Sequence, residues 1–254
     1  MISRYASLRQ GLVGAWCPSL GASGFRLIDR SGYGNHGVLT NMDPGTDWVA
    51  SGGKLALDFD GVNDYVATAL SCSNRSNLDI SAWIFKSSTS HNVFVGAGEG
   101  TGAGPRANIY ILGTTTYVTA ESTGGSAYGQ VSNTRTGWNH FHYSYFYTGS
   151  SSSDFLKLWI NGVEQSLTYT GFIPGSLGNV GFFEIGRSKG EALYGTAQFD
   201  DVRAWSRRLT PSEIRLLYTA GRGAGLAPER IKHRRKTTAA ATNRRRRILC
   251  GANC

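Results

Sequence analysis

Along most of the first 205 positions of this 254-residue chain, apolar residues alternate with polar ones or run together in short blocks. This pattern predicts strands at 11–17, 25–30, 54–60, 64–70, 77–87, 92–97, 107–112, 115–120, 138–147, 155–161, 180–187 and 197–205. Gly, Ser, Asn and Asp fill the gaps; they turn chains tightly by accepting positive φ or by bonding their own backbone. In the block WNHFHYSYFY, successive side chains point to opposite faces. Phe141, Tyr143 and Tyr145 therefore share one face, and His140, His142 and Phe146 the other. The first face is predicted to pack in a core and the second to line a partly wet concave surface. Gly149–Asp154 reads as a flexible hairpin connection, and no internal repeat is evident.

The period changes after residue 205. Thr210 is placed as an N-cap, Pro211 suits the first helical position, and Glu213 completes a T-x-x-E capping box. Ile214, Leu217 and Tyr218 fall on one face of this short helix, and Gly221 supplies its left-handed stop. The predicted organisation is a lead-in arm at 1–10, one β-domain at 11–221 and a polar tail at 222–254. A dozen strands with one terminal helix predict an all-β fold: a two-sheet antiparallel jelly-roll sandwich carrying a basic C-terminal arm.

Charge sharpens the boundary. Residues 222–254 hold ten Lys/Arg against one Glu, a net of +9, while residues 1–221 hold 16 basic and 16 acidic residues. The body is neutral, so electrostatic capture of nucleic acid is assigned to the tail if to anything. The tail's basic residues are Arg230, Lys232, Arg234, Arg235 and Lys236, then Arg244, Arg245, Arg246 and Arg247. They lack hydrophobic periodicity and aromatic interleaving, which reads as an anchoring arm with phosphate contacts as the alternative. No run of eighteen apolar residues exists, so no membrane-spanning helix is expected. The N-terminal stretch has no apolar core of the kind a secretory signal carries. Cys17 and Cys72 read as free buried thiols, with a disulfide between them left open, as is one between Cys250 and Cys254.

The order of motifs then resembles a family. GLVGAW (11–16), IDRSGYGNHGVLTN (28–41), LALDFDGVNDYV (55–66), ISAWIF (80–85), WNHFHYSY (138–145), LKLWINGV (156–163), FFEIGRS (182–188) and FDDVRAWSRRLTPSEIRLLY (199–218) follow one another. Together they resemble the LamG-like domains of the concanavalin A-like lectin/glucanase superfamily, in the bacterial and phage branch related to laminin G and pentraxin domains. The resemblance covers about residues 11–220 and implies the sandwich; the fold hosts lectins, enzymes, adhesion modules and structural proteins alike.

It also implies sites. Related domains hold a structural calcium ion between an early Asp-x-Ser-Gly-x-Gly-Asn loop and the final strand, which match Asp29, Asn35 and Asp200 here. The alternative is that Asp29 and Asn35 make Asx-turns and Asp200 caps a backbone group. In pentraxin-like relatives an Asp-Asn pair near Asp60–Asp64 helps hold calcium; a type I′-like turn is the simpler reading. Glucanases need paired carboxylates across a glycosidic bond, and Glu184 and the adjacent Asp200–Asp201 do not supply them, so no enzyme activity is expected. Lectin sites imply exposed aromatic and polar residues, for which Trp48, Tyr110, His140 and His142 are the candidates.

LamG-like sandwiches also occur on tailed-phage virions. The resemblance, the missing signal and the basic arm together lead to a non-enzymatic virion surface protein, as a head decoration or tail component. Its expected partners are other virion proteins through the tail, glycans on the sandwich and possible further copies of itself. A free extracellular glycan-binding module is the alternative, and a glycoside hydrolase the third reading.

Overall fold

In the computed structural model the described residues are 5–98, 105–122, 125–147, 152–172, 174–189 and 192–223. Tail residues 224–254, with the basic runs, Cys250 and Cys254, lie outside them. Along the chain come helix α1 (Ala6–Arg9) and strands β1 (Leu12–Trp16), β2 (Arg26–Leu27), β3 (Gly37–Thr40), β4 (Trp48–Ser51), β5 (Lys54–Asp60) and β6 (Tyr65–Ser71). Next are β7 (Asn77–Lys86), β8 (Val93–Gly98), β9 (Arg106–Leu112), β10 (Thr115–Ser122), β11 (Gly125–Ser132) and β12 (Gly137–Phe146). After α2 (Ser152–Phe155) follow β13 (Leu156–Ile160), β14 (Val163–Glu164), β15 (Thr168–Gly171), β16 (Phe182–Ile185), β17 (Arg187–Ser188), β18 (Leu193–Tyr194) and β19 (Thr196–Trp205). Helix α3 (Pro211–Ala220) is the last element among the described residues.

The strands form two antiparallel sheets and a small ribbon of β17 and β18. One sheet runs β14-β13-β12-β7-β19-β5-β4, with β1 added beside β19 to make eight. The other runs β15-β11-β10-β9-β8-β16-β6-β3-β2, nine strands. Alternation places Leu78, Ile80, Ala82 and Ile84 of β7, and Phe141, Tyr143 and Tyr145 of β12, on the inner face of the first sheet. Val93 and Val95, Ile109 and Ile111, and Val118 and Ala120 face them from the second. All of these are buried, each contributing about 1.5–3 kcal/mol by leaving water, less for the alanines. Trp16 stacks on Phe183 across the two layers at 5.0 Å, and the Tyr143 hydroxyl donates to Thr119 O at 2.8 Å. The two layers form the predicted jelly-roll sandwich.

A second, smaller core lies outside the eight-stranded sheet. Leu8, Leu12, Trp159, Trp205, Leu209, Ile214 and Leu217 pack there under α1 and α3. The helix has its capping box: Thr210 accepts from Glu213 N, and Glu213 Oε2 accepts from Thr210 N at 2.9 Å. Gly221 adopts φ 75, the left-handed value its position requires. Within the stretch expected as a lead-in arm, Ala6–Arg9 forms one helical turn whose Leu8 is buried, and Leu8 O accepts from Trp205 Nε1 at 2.8 Å.

Two expectations are revised. Asp60–Asp64 is not a hairpin turn, because β5 and β6 belong to different sheets and the segment crosses between them. Only Gly61 in it has positive φ, whereas a type I′ turn needs two such residues. Strands β3, β4, β11, β14, β15 and β18 were not predicted. The hairpin from β12 to β13 forms as expected, with α2 in the connection; residues 149–151 of that connection lie outside the described residues. Cys17 and Cys72 are both free and buried. No helix among the described residues is long and apolar enough to cross a membrane.

Candidate functional site

The outer face of the eight-stranded sheet is built in rows across β12, β7 and β19. His142 pairs with Ser81 and Ser81 with Arg203; His140 pairs with Trp83 and Trp83 with Asp200. Helix α3 lies over these rows, with Tyr218 stacked on Trp83 at 5.9 Å and 6.2 Å from His140. His142 sits between Trp159 and Trp205, its Nε2 2.9 Å from Asp79, which also accepts from Ser144 Oγ and Leu209 N. Both imidazoles are fully buried, so the expected partly wet face is closed at this point. Burial first, then the neighbouring His142 and Arg203, holds the His140 pKa well below its ordinary 6.5. His140 and His142 are interior residues, not ligand contacts. Trp48 is half-buried against the main core, and its indole N–H donates to Gly24 O at 3.1 Å.

The calcium expectation meets a saturated carboxylate. Asp29 Oδ1 accepts from Ala15 N and Ser31 N, and Oδ2 from Ser31 Oγ and Asn35 N, all within 2.9 Å. Asn35 Nδ2 donates to Val13 O, and Asn35 O accepts from Trp16 Nε1. These bonds lock the loop onto β1. Asp200 belongs to a different network, where Oδ1 accepts from Ser19 N and Asp201 N and Oδ2 lies 4.0 Å from Arg222 Nε. Calcium takes about six to eight oxygens. Among the described residues, no three His, Cys, Asp or Glu are grouped to hold a metal. Asp29, Asn35 and Asp200 do not fit the ion; Asx-type bonding is what they make.

Tyr110 leads to a different surface. On β9, β10 and β11 the inward residues are Ile109, Val118 and Ala127, so Tyr110, Tyr117 and Tyr128 point outward. Tyr110 and Tyr117 are cross-strand partners with rings 4.6 Å apart and 3° from parallel; Tyr128 meets Tyr117 edge-on at 6.0 Å. All three are half-buried. Beside them Thr119 Oγ1 donates to Asn108 Oδ1 at 2.7 Å, and Arg106 Nε pairs with Glu121 at 3.0 Å. An amphipathic aromatic strip thus lies next to an amide, a hydroxyl and an ion pair, all on paired strands. Asn108, Thr119 and Glu121 are buried and brace the strands, while the half-exposed rings can take the apolar face of a ligand. Tyr128 was absent from the candidates because β11, GSAYGQVS, does not read as a strand without its neighbours; Tyr117 lies on a predicted strand, but its pairing with Tyr110 is set by sheet register.

Residues 60–215 match the Laminin_G_3 family of the concanavalin A-like lectin/glucanases superfamily. The chain belongs to that superfamily. No curated protein matches it. Among solved structures, the botulinum neurotoxin serotype D ligand binding domain in complex with N-acetylneuraminic acid aligns with a TM-score of 0.60 at 16% identity, covering 86% of this chain and 53% of that one. The botulinum neurotoxin type C structure described as dependent on two ganglioside molecules for cell entry aligns at 0.57 and 13%, covering 85% and 53%. The binding domain of Paraclostridial Mosquitocidal Protein 1 aligns at 0.58 and 13%, covering 84% and 53%. The chain spans about half the length of these structures, and at these identities the likeness is one of fold. A glucanase of the superfamily needs two carboxylates facing one bond. Here Glu184 is paired with Arg187, and Asp201 binds Cys17 Sγ and Arg203 at a bulge where its own φ is +51. Burial and the Asp201 charge push the Cys17 thiol well above its ordinary range.

Proposed function

We propose that this protein is a non-enzymatic carbohydrate-binding module whose contact surface is the tyrosine strip of β9–β11. The observation that carries the reading is the Tyr110–Tyr117–Tyr128 row beside Asn108, Thr119 and the Arg106–Glu121 pair. Rigid aromatic rings on paired strands cost little entropy to present, and the buried Asn108–Thr119 bond and Arg106–Glu121 pair hold those strands in place. Two structural neighbours, one in complex with N-acetylneuraminic acid and one whose cell entry depends on two ganglioside molecules, support carbohydrate as the ligand class. A glycan array on the full chain tests this, followed by Tyr117→Ala. We expect at least one glycan to bind and the variant to weaken it about tenfold or more, the loss of one stacked aromatic contact. An array with no binder refutes the reading.

The finer role we propose is a surface protein of a virus particle, with the sandwich outward and the basic tail as its attachment. The supporting observation is the partition of charge, with a neutral body and the whole net of +9 beyond residue 221. Removing residues 224–254 is expected to leave a folded domain that no longer joins the particle. Incorporation of the truncated chain would overturn the anchor.

A further inference from the structure

The outer face of the eight-stranded sheet continues past the buried histidines into one more row, which α3 does not cover. Trp138 of β12 pairs with Phe85 of β7, Phe85 with Gln198 of β19, and Gln198 with Asp58 of β5. Aromatic rings at one end thus grade into an amide and a carboxylate at the other. Above the Asp58 end is a cavity of about 280 Å³, walled also by Asp60, Thr196 and His91.

Three features define what would fit. The lining holds two carboxylates and no Lys or Arg. Gln198 hydrogen-bonds Asp58 through its side chain, and its Oε1 is buried without a hydrogen-bond partner, as is His91 Nδ1. Burial, with the nearby Asp47 charge adding to it, raises the Asp58 pKa above its ordinary value despite the Gln198 bond. The wall is therefore rich in acceptors, negative and only partly satisfied, with the Phe85 ring beside it. An anion is repelled by such a wall. A metal ion finds too few ligands, since Asp60 Oδ1 already accepts from Val62 N. The same row already holds one organic cation: the Arg222 guanidinium lies over the Trp138 ring at 3.6 Å.

We propose that this cavity binds a primary ammonium group, donating to Gln198 Oε1 and the Asp58 carboxylate with its carbon stem against Phe85. Charge-assisted hydrogen bonds and cation–π attraction both strengthen where water is displaced. The volume lies near the low end of small-molecule sites and holds one amino-sugar ring or the end of a lysine side chain. The inference rests on the opposite sheet from the tyrosine strip and stands or falls apart from it.

Titrating the full-length, isotope-labelled protein by NMR tests the idea, reading the backbone amides of Thr196–Gln198. The probes are D-glucosamine, Nα-acetyl-lysine methylamide, and the uncharged D-glucose and N-acetylglucosamine. We expect at least one ammonium probe to shift these amides, with both neutral sugars weaker by about tenfold or more. The stronger of the two ammonium probes identifies the source. Asp58→Asn should weaken the binding by a similar factor and Gln198→Ala by a smaller one, with each variant's melting temperature checked to show that it is folded. Neutral sugars binding as well as glucosamine, full affinity in folded Asp58→Asn, or no response to any probe would each overturn the proposal. Loss of glycan binding in Tyr117→Ala has no bearing on it.

Discussion

Asp200 has no exposed surface, yet only one of its carboxylate oxygens is hydrogen-bonded; the other has Arg222 Nε at 4.0 Å. Burial, then the charge of Asp201, raises its pKa from 3.8 to about 6. The native state therefore binds this proton more tightly than the unfolded chain, and stability falls as pH rises between about 4 and 6. Above that window the charged form is carried at a cost on the order of 3 kcal/mol. Asp200→Asn keeps an acceptor for Ser19 N and Asp201 N. We expect it to raise the melting temperature at pH 7 and to flatten the slope between about pH 4 and 6 in denaturation curves. A variant less stable than the parent at pH 7 would contradict this. A chelator is expected to leave the parent's melting temperature unchanged, because Asp29 already accepts four hydrogen bonds. Asp29, Asn35 and Asp200 were identifiable in the sequence as special, but their partners were not. Ala15 N, Val13 O and Ser19 N are backbone groups that no side-chain pattern announces.

At the scale of elements, α3 was readable in full because its signals are local: a cap, a box partner three residues on, a proline and a glycine. Thr210→Ala removes the acceptor for Glu213 N and should cost about 1 kcal/mol, lowering the melting temperature by about 2–4 °C. Thr210→Ser should restore most of that. The strands divide by how they are buried. β5 and β6 show alternating burial and were readable as blocks. β12 has both faces buried although the second carries His140, His142 and Ser144, and the element that covers that face begins some 65 residues later. That separation is why His140 and His142 read as ligand contacts when they are interior. β3, β4 and β15 are four residues each, two of them at sheet edges, and β11 carries Gly and Gln between its tyrosine and valine. Such strands are defined by their neighbours, and with β11 went Tyr128, one of the three rings of the strip.

For the whole molecule, the folded body extends two residues beyond the helix stop. The Arg222 guanidinium covers Trp138 and donates to Ser51 O, while Lys54 Nζ donates to Arg222 O. A chain ending at Gly223 is therefore expected to melt close to the full-length protein. One ending at Gly221 should be less stable by about 1–2 kcal/mol, having lost a cation–π contact and its hydrogen bonds. Equal stability of the two would show that Arg222 contributes nothing.

β1 has one partner, β19, and the turn before it leans on Trp205. Leu12 meets Trp205 across nearly the whole length of the domain. Contacts that distant must wait for a long loop to close, which slows folding. On the ribosome the first strand to emerge is thus the last to be paired: β1 stays an open edge until residues 196–205 have been synthesised and released. A nascent chain stalled before Thr196 should remain open to protease, however much of the nine-stranded sheet it has already made.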